Sequence, residues 1–522
     1  MTHAAPSSAP DSAPDSPSSA STVPTPAPSL GRTAKVGSAW ALAQSFASKF
    51  VSLGCQVALA RLLLPAEMGI ASKAISVHGL LLYLNPAIMS DVLIQRKSTI
   101  DEDARPAFRV AMLWSLVTGL VILASGPFFA KWYENPAVVG LLAVLALRPL
   151  GMAMATVSTA RLRLDYRFGA ISAWSIWITV GTSGASVLLA WLGWGPYAIV
   201  VPMVLALVWT GIIFSRLSPS PQVGAPPPGR ARELFREWFT LCGGQYAHTV
   251  SLYIHYLVLA FFVSDTEVGF YYFAFNLSGQ LNGIIVYNVS LVLQPIFAAL
   301  KDEPERQMRA FLRVTTMISA VSVPLCVIQA ALSGPGVRLV FGDKWDPAVS
   351  ILAILSVAQA FAFTVGPATA LFKSQGRYHA YLIWQVVQAV VLTPALILAA
   401  WLGTRMPEFE NAASLLVSWV IVAQFAIGSP IAVWYAIQPY GGSLREAARP
   451  FTRPAIAAAL SIGPLWLAAW WVPKSFGYDL LQLAVLPILG LILYPFALRL
   501  VDRHAYGILR ENVVAVLRKI KR

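Results

Sequence analysis

Apolar runs of roughly 20–30 residues recur along this chain, separated by short polar breaks, and runs of that length are enough to cross a bilayer as helices. The pattern predicts fourteen spans, over 37–60, 67–90, 107–130, 137–160, 169–191, 195–216, 235–262, 268–298, 310–334, 348–372, 378–402, 412–437, 451–472 and 479–500. The breaks carry repeated marks. Lys131-Trp132 followed by Pro136-Ala137-Val138 returns as Lys344-Trp345 followed by Pro347-Ala348-Val349, and Glu67-Met68-Gly69 returns as Glu267-Val268-Gly269. Arg167, at the start of the fifth span, returns as Arg377 at the start of the eleventh. Six spans precede the proline-rich stretch 218–232 and six follow it. Six is even, so both halves enter the membrane from one side and the repeat is direct, with its axis along the membrane normal.

The expected fold class is therefore an all-α polytopic membrane protein of about 14 transmembrane helices, with two pseudo-symmetric six-helix lobes and two further C-terminal helices. The predicted units are a disordered tail over 1–31, an N-terminal lobe over 32–217, a linker over 218–232, a C-terminal lobe over 233–438, the added pair over 439–502 and a basic tail over 503–522. A two-lobed membrane protein of this kind places its substrate between the lobes and exposes it to one side at a time, which points to a transporter.

Composition supports the membrane assignment. Hydrophobic residues make up 57% of the chain, charged residues 12%, and the mean hydropathy is +0.65. The net charge of +14 invites a nucleic-acid reading, but its placement excludes one. Of the 38 Lys and Arg, 29 fall at the side of the membrane that holds both termini, 6 at the other, and 3 (Lys49, Lys73 and Arg148) inside spans. That bias puts the N- and C-termini in the cytoplasm, and the basic side also suits anionic lipid headgroups. The first thirty residues are mostly Ala, Pro, Ser, Thr and Asp, without the basic and apolar regions of a signal peptide, and read as a disordered tail. Cys55, Cys242 and Cys326 all fall within apolar spans, as small packing residues rather than a disulfide framework. No Walker A loop, GxSxG, HExxH or CxxC motif is present, so the sequence implies neither an enzyme nor a cofactor. Transport would then draw on an ion gradient, the membrane potential or the substrate's own gradient.

The charges inside the membrane are the candidate chemistry. Lys49 lies twelve residues into the first span, about 18 Å deep at 1.5 Å per residue, and Arg148 lies at a similar level in the fourth. Lys73 sits nearer the outer side of the second span, and Arg61 marks the outer end of the first. A cation at such depth costs at least about 2.5 kcal/mol and usually faces a wet cavity. No Asp or Glu shares the level of Lys49 or Arg148. Lys49 also belongs to a stripe, Ser45, Lys49, Ser52 and Gln56, whose four-three-four spacing puts it on one helix face. Asn276, Gln280, Tyr287 and Gln294 form a second stripe in the eighth span, and Gln245, His248 and His255 a third in the seventh. These stripes read either as cavity walls or as interhelical hydrogen bonds, with Lys73 snorkelling outward in the second case. His248 and His255 lack a third ligand, which disfavours a metal site. An unpaired cationic cavity suits an anionic substrate such as phosphate or pyrophosphate. A cation exporter would need buried carboxylates, and the one candidate, Asp91, lies at the cytoplasmic end of its span.

The stretches Gly37-Ser-Ala-Trp40 with Gln44, Ala60 to Gly69 (ARLLLPAEMG), Val92-Leu-Ile-Gln95, Arg161 to Phe168 (RLRLDYRF) and Val268-Gly-Phe-Tyr271 resemble the polysaccharide and O-antigen flippases. These are the Wzx-like, polysaccharide-transport branch of the multidrug/oligosaccharidyl-lipid/polysaccharide (MOP) exporter superfamily, and the likeness covers about residues 32–500. The resemblance implies two six-helix lobes around a central cationic cavity, here placed on Lys49, Arg148, Lys73 and Arg61. It implies movement of a lipid-linked oligosaccharide on polyprenyl pyrophosphate across the bacterial inner membrane, by alternating access, for lipopolysaccharide or exopolysaccharide synthesis. Membrane lipids are implied partners, with a polymerase and other export components as further candidates. By analogy with lipid II flippases, spans thirteen and fourteen would form a groove for the lipid tail. Three alternatives stay open: a lipid II flippase, an ion-coupled drug antiporter, and a membrane polysaccharide polymerase or ligase, which would normally carry a large external loop.

Overall fold

The computed structural model describes residues 30–218, 229–363, 365–470 and 475–520. The tail expected over 1–31 and the linker expected over 218–232 fall mostly outside the described residues. The first half runs α1 (Leu30–Leu62), α2 (Pro65–Leu81), α3 (Pro86–Gln95), α4 (Ile100–Trp132), α5 (Ala137–Leu145), α6 (Arg148–Leu164), α7 (Phe168–Trp191) and α8 (Tyr197–Leu217). The second runs α9 (Arg230–Phe262), α10 (Asp265–Ala299), α11 (Pro304–Ala331), the single turn α12 (Ser333–Gly336), α13 (Ala348–Ala362), α14 (Val365–Ser374), α15 (Tyr378–Thr404) and α16 (Ala412–Ile437). After it come α17 (Leu444–Ser461), α18 (Gly463–Trp470), α19 (Phe476–Val501) and α20 (Arg503–Ile520).

Each predicted apolar run coincides with a helix or a pair of helices. Among the described residues, nine helical spans are long and apolar enough to cross a membrane, and α2 with α3 makes a tenth that is bent by 41°. Proline explains the bend: Pro86 cannot donate a backbone N–H, and the Asn85 side chain caps the new helix by accepting from the Ala87 amide. The long helices α1, α9 and α10 carry the polar stripes. The arrangement is compatible with fourteen crossings.

The repeat read from the sequence is a repeat of contacts. In the first half α1 packs on α7, α7 on α8, and α6 on both α4 and α8; in the second, α9 packs on α15, α15 on α16, and α13 on both α11 and α16. Arg167 and Arg377 do the same work in their halves. Arg167 donates to the Leu217 carbonyl at the end of α8 (2.8 Å), and Arg377 to the Ala436 and Tyr435 carbonyls at the end of α16 (3.2 and 3.3 Å). Both arginines satisfy carbonyls that a helix C-terminus leaves open. Each follows a residue with positive φ, Tyr166 or Gly376, that turns the chain between helices.

The Glu-x-Gly marks are where the halves cross. A Cβ built on Gly69 would stand 1.8 Å from the Asp265 carbonyl oxygen, and one on Gly269 would stand 1.9 Å from that of Pro65. Only glycine permits so close an approach of two backbones. Beside each glycine a glutamate reaches the last long helix of its own half. Glu67 lies against Gly195, before α8, and Glu267 accepts from the Ser414 amide (3.1 Å) and hydroxyl (2.8 Å) at the start of α16. The tryptophans also correspond: Trp345 donates from Nε1 to the Ala60 carbonyl near the end of α1 (2.9 Å), and Trp132 packs edge-on against Phe261 near the end of α9 (4.9 Å).

The added helices join the second half at both ends. Arg338, after α12, forms a two-pronged pair with Asp479 at the start of α19 (2.6 and 2.9 Å), and those hydrogen bonds hold the guanidinium pKa above its ordinary value. At the basic end, Arg449 and Arg453 of α17 pair with Asp502, between α19 and α20.

Candidate functional site

At mid-depth the two halves meet through side chains that the sequence singles out. Lys49 of α1 donates from Nζ to Oε1 of Gln280 on α10 (3.3 Å), and Gln280 donates in turn to Oε1 of Gln56 on α1 (3.3 Å). Two of the predicted stripes thus face each other, because Lys49 and Gln56 are seven residues apart on one face of α1. All three side chains are half-buried. In this conformation the seam is bridged by these long polar chains. Ser45 and Ser52 continue the α1 face half-buried, whereas Asn276 turns back to the Tyr272 carbonyl of its own helix (2.8 Å). The side chains of Tyr287 and Gln294 lie outside the described residues.

Arg148 opens α6, half-buried, beside the line where α9 crosses α2. Its Nε is buried without a hydrogen-bond partner, and no acidic side chain pairs with it among the described residues. Its electrostatic neighbours are His78 of α2 and Tyr253 of α9. Tyr253 lies directly on Gly79, one residue after His78, so the guanidinium stands at a contact between the halves. A buried guanidinium with unmet donors can take an anion in a forked geometry.

Lys73 and Arg61 have other partners. Lys73 is almost fully buried and forms an ion pair with Asp265 of α10 (2.6 Å), over the Tyr133 ring at 5.1 Å. Asn135 donates to the same carboxylate (2.9 Å). Lys73 therefore does not snorkel; it holds the second half. Arg61 is exposed and donates to the Leu339 and Val340 carbonyls (both 2.8 Å), while Lys344 returns to the Arg61 and Leu63 carbonyls (2.9 and 2.8 Å). Burial, with Arg61 alongside, lowers the Lys344 pKa, and Glu67 opposes that shift. In this conformation both cations tie the halves together at the end opposite the basic loops.

The stripe of α9 divides. Gln245 is exposed and His248 half-buried, but His255 is 1% exposed and packed among Tyr256, Tyr271 and Phe275. It lines no open surface here. Among the described residues no group of three or more His, Cys, Asp or Glu could hold a metal ion.

Several residues of the seam escaped the sequence reading. Asp265 opens the helix that carries Gly269, away from the level of Lys49 and Arg148 at which the sequence shows no carboxylate. The first half of α9 was assigned to the second lobe by position in the chain, yet it lies on the first-half helices α3 and α4. Arg96 pairs with Glu237 (2.5 Å), Arg230 with the fully buried Asp103 (2.5 Å), and the buried Trp238 donates to the Asn85 carbonyl (3.0 Å). Those hydrogen bonds to carboxylates hold the Arg96 and Arg230 pKa values above the ordinary one. Charged residues ahead of an apolar run, Arg230 to Glu237, were the available signal.

Comparison with known proteins agrees with this architecture. A family model described as polysaccharide biosynthesis protein matches residues 58–350. The succinoglycan biosynthesis transport protein ExoT of Rhizobium meliloti (strain 1021) is 24% identical over 389 residues, covering 72% of this chain and 77% of that protein. The teichuronic acid biosynthesis protein TuaB of Bacillus subtilis (strain 168) is 22% identical over 382 residues, covering 71% and 76%. Among solved structures, the lipid II flippase MurJ in an inward closed conformation superposes with a TM-score of 0.68 at 10% identity, over 88% of this chain and 98% of that one. At that identity the likeness speaks to fold alone.

Proposed function

The chain belongs to the polysaccharide biosynthesis protein family, and from that footing we propose that it flips polyprenyl-pyrophosphate-linked oligosaccharide repeat units across the bacterial inner membrane. The observation that carries the reading is the pair of mid-depth cations, Lys49 and Arg148, at contacts between the halves, with no carboxylate paired to either among the described residues. Such cations are retained at a cost of a few kcal/mol each, which an anionic substrate offsets when bound. The pyrophosphate is that anion: Arg148 offers a fork and Lys49 a compact charge. A cation antiporter would use a carboxylate inside the membrane, and the nearest described one, Asp265 at the outer start of α10, is already engaged by Lys73 and Asn135. The polysaccharide-synthesis relatives weigh against lipid II as the cargo.

The build of the seam supports alternating access. The glycine crossing of α2 and α10 is the tightest contact between the halves and serves as the pivot. On the outer side Lys73–Asp265, Arg61 and Lys344 hold the lobes shut; on the cytoplasmic side the clamp of α9 on α3 and α4 does so. A headgroup entering between α1 and α10 displaces Gln280 from Lys49, since the pyrophosphate is the stronger acceptor. The oligosaccharide then travels in the opened space, the polyprenyl tail stays in lipid, and the delivered unit passes to a polymerase on the far side.

The test is to replace the genomic copy with Lys49→Ala or Arg148→Ala and measure surface polysaccharide together with the leaflet that holds its lipid-linked precursor. Membrane levels of the variants must match wild type. The expected outcome is loss of export with precursor accumulating on the cytoplasmic leaflet. Normal export from both variants would overturn the assignment.

A further inference from the structure

A cavity of about 560 Å³ opens at the basic end between α11, α17 and α20, away from the seam, and two of those helices, α17 and α20, have no counterpart in the first half. It forms because the chain turns at Asp502, leaving α20 to lie against α11 and α19. Asp502 caps that turn by accepting from the His504 and Ala505 amides (3.0 and 3.2 Å). We propose that this cavity binds the phosphate headgroup of an anionic phospholipid.

Charge is the first argument. Arg309, Arg313, Arg449 and Arg503 line the cavity, and Arg453 pairs with its floor at Asp502. Against these five stand three carboxylates, Glu446, Asp502 and Glu511, so the site is net positive by two. Each carboxylate is already engaged. Asp502 takes Arg449 and Arg453, Glu511 takes Arg313 (2.8 Å), and Glu446 accepts from the Ser443 amide (2.9 Å) in a capping box. Burial alone would raise the Asp502 pKa, but the Arg449 and Ala505 hydrogen bonds and the two guanidinium charges hold it below the ordinary value. Asp502 stays ionised and consumes the charge of one arginine. Arg309 on α11 and Arg503 at the start of α20 have no ion pair among the described residues and point to an external anion with several acceptor oxygens.

Position selects the lipid. Just before Asp502 the last turns of α19 leave Phe496 65% and Leu500 88% exposed, a surface suited to acyl chains. The cavity thus stands where apolar helix gives way to arginine, at the level of headgroups on the leaflet that the positive-inside bias assigns to the cytoplasm. A soluble phosphate would gain nothing from that apolar border. The site needs no flipping activity, so it stands or falls independently of the proposed transport.

The test uses full-length protein in nanodiscs of phosphatidylcholine with a minor fraction of phosphatidylglycerol, reading retained lipid by native mass spectrometry. Wild type should retain phosphatidylglycerol in preference to phosphatidylcholine. Each arginine near a charged bilayer surface is worth about 1 kcal/mol, so Arg309→Ala or Arg503→Ala should weaken retention about 5-fold, and the double variant about 25-fold. Glu511→Gln frees Arg313 and should strengthen retention, which keeps the test open if an arginine variant folds poorly. Equal retention of the two lipids by wild type would overturn the proposal. So would unchanged retention in the double variant, or displacement of the bound lipid by millimolar inorganic pyrophosphate.

Discussion

Two seams join the halves of this molecule, and the repeat makes them counterparts: α9 against the first half, and α1 against the second. The α9 seam is continuous. It runs from Arg230 on Asp103, through Trp238 on Asn85 and Tyr246 on the Leu80 carbonyl (2.7 Å), to Tyr253 on Gly79 and Phe261 on Trp132. The α1 seam is intermittent. Its described contacts are the Lys49–Gln280–Gln56 bridge and the fastening of its outer end by Val57, Leu59, Trp345, Lys344 and the Arg61 hydrogen bonds, while Phe46 and Phe50, at the inner side of the bridge, are 47% and 73% exposed. A helix fixed at one end and held midway by long, half-buried polar chains can swing. A helix fastened along its length by the buried Trp238 and a series of half-buried aromatics cannot do so without losing the packing of several large side chains. Equivalent helices are thus fastened unequally, and under the proposed function the α1 seam is where a lipid-linked substrate would enter from the membrane.

The crossing that both seams share should break most severely. Gly69→Ala or Gly269→Ala places a Cβ inside van der Waals contact with backbone that cannot retreat. The expected cost is about 3 kcal/mol or more, seen as loss of folded protein on size-exclusion chromatography or a large fall in Tm. Gly54→Ala, on the face of α1 toward α7, is the control, since a Cβ there meets nothing within 4 Å, and its Tm should not fall. Equal tolerance of both substitutions would mean that the pivot is misplaced.

Next in size is the outer latch. Asp265→Ala leaves the Lys73 ammonium buried without its partner, a loss of about 3–5 kcal/mol if the lobes stay closed. The pair stands one helical turn from the pivot, so the cheaper response is a local loosening around Lys73 that lets water reach it while the glycine crossing holds. The variant should therefore show faster labelling of a cysteine placed at Asn135 by a membrane-impermeant maleimide, with a Tm loss smaller than that figure. Lys73→Met with Asp265→Leu, which removes both charges, should restore slow labelling. If the double variant labels as fast as Asp265→Ala, the pair is not the latch.

These two expectations also show how far the sequence could be read. The repeat marks were visible as letters, and each proved to have a physical reason: a backbone crossing at the glycines, a helix-end cap at Arg167 and Arg377, and a ring on the opposite half's first helix at Trp132 and Trp345. The polar stripe of α1 was visible because helical periodicity puts Ser45, Lys49, Ser52 and Gln56 on one face. What periodicity does not carry is the partner. Lys73 was read as a cavity or snorkelling cation because Asp265 lies 192 positions away in the chain, across the pivot. His255 looked like a cavity wall by spacing, yet its face of α9 is the one that α10 covers with Tyr271 and Phe275. The clamp of α9 on the first half was invisible for a similar reason. Chain order assigns a helix to a repeat, while contacts assign it to a neighbour.

The smallest effect on stability should come from the mid-depth bridge, and that smallness is informative. Gln280 holds Lys49 and Gln56 through two long, half-buried hydrogen bonds, each worth about 1 kcal/mol or less in such surroundings. Gln280→Ala should therefore lower the Tm by no more than a few degrees. Its consequence for the α1 seam should be larger than for the fold, because few other described contacts hold α1 to α10 at this level. A spin label on α1 at Phe50, paired with one on α10 at Ser278, should report a broader distance distribution in Gln280→Ala than in wild type. The matching change in the α9 seam, Tyr246→Phe, removes one hydrogen bond of similar strength but leaves the aromatic contacts with Tyr83, and a label pair across α2 and α9 should show no broadening. Two hydrogen-bond deletions of like cost with unlike effects on distance would locate the moving seam. Like effects would mean that the halves part evenly on both sides, and that the difference in packing between α1 and α9 does not direct the opening.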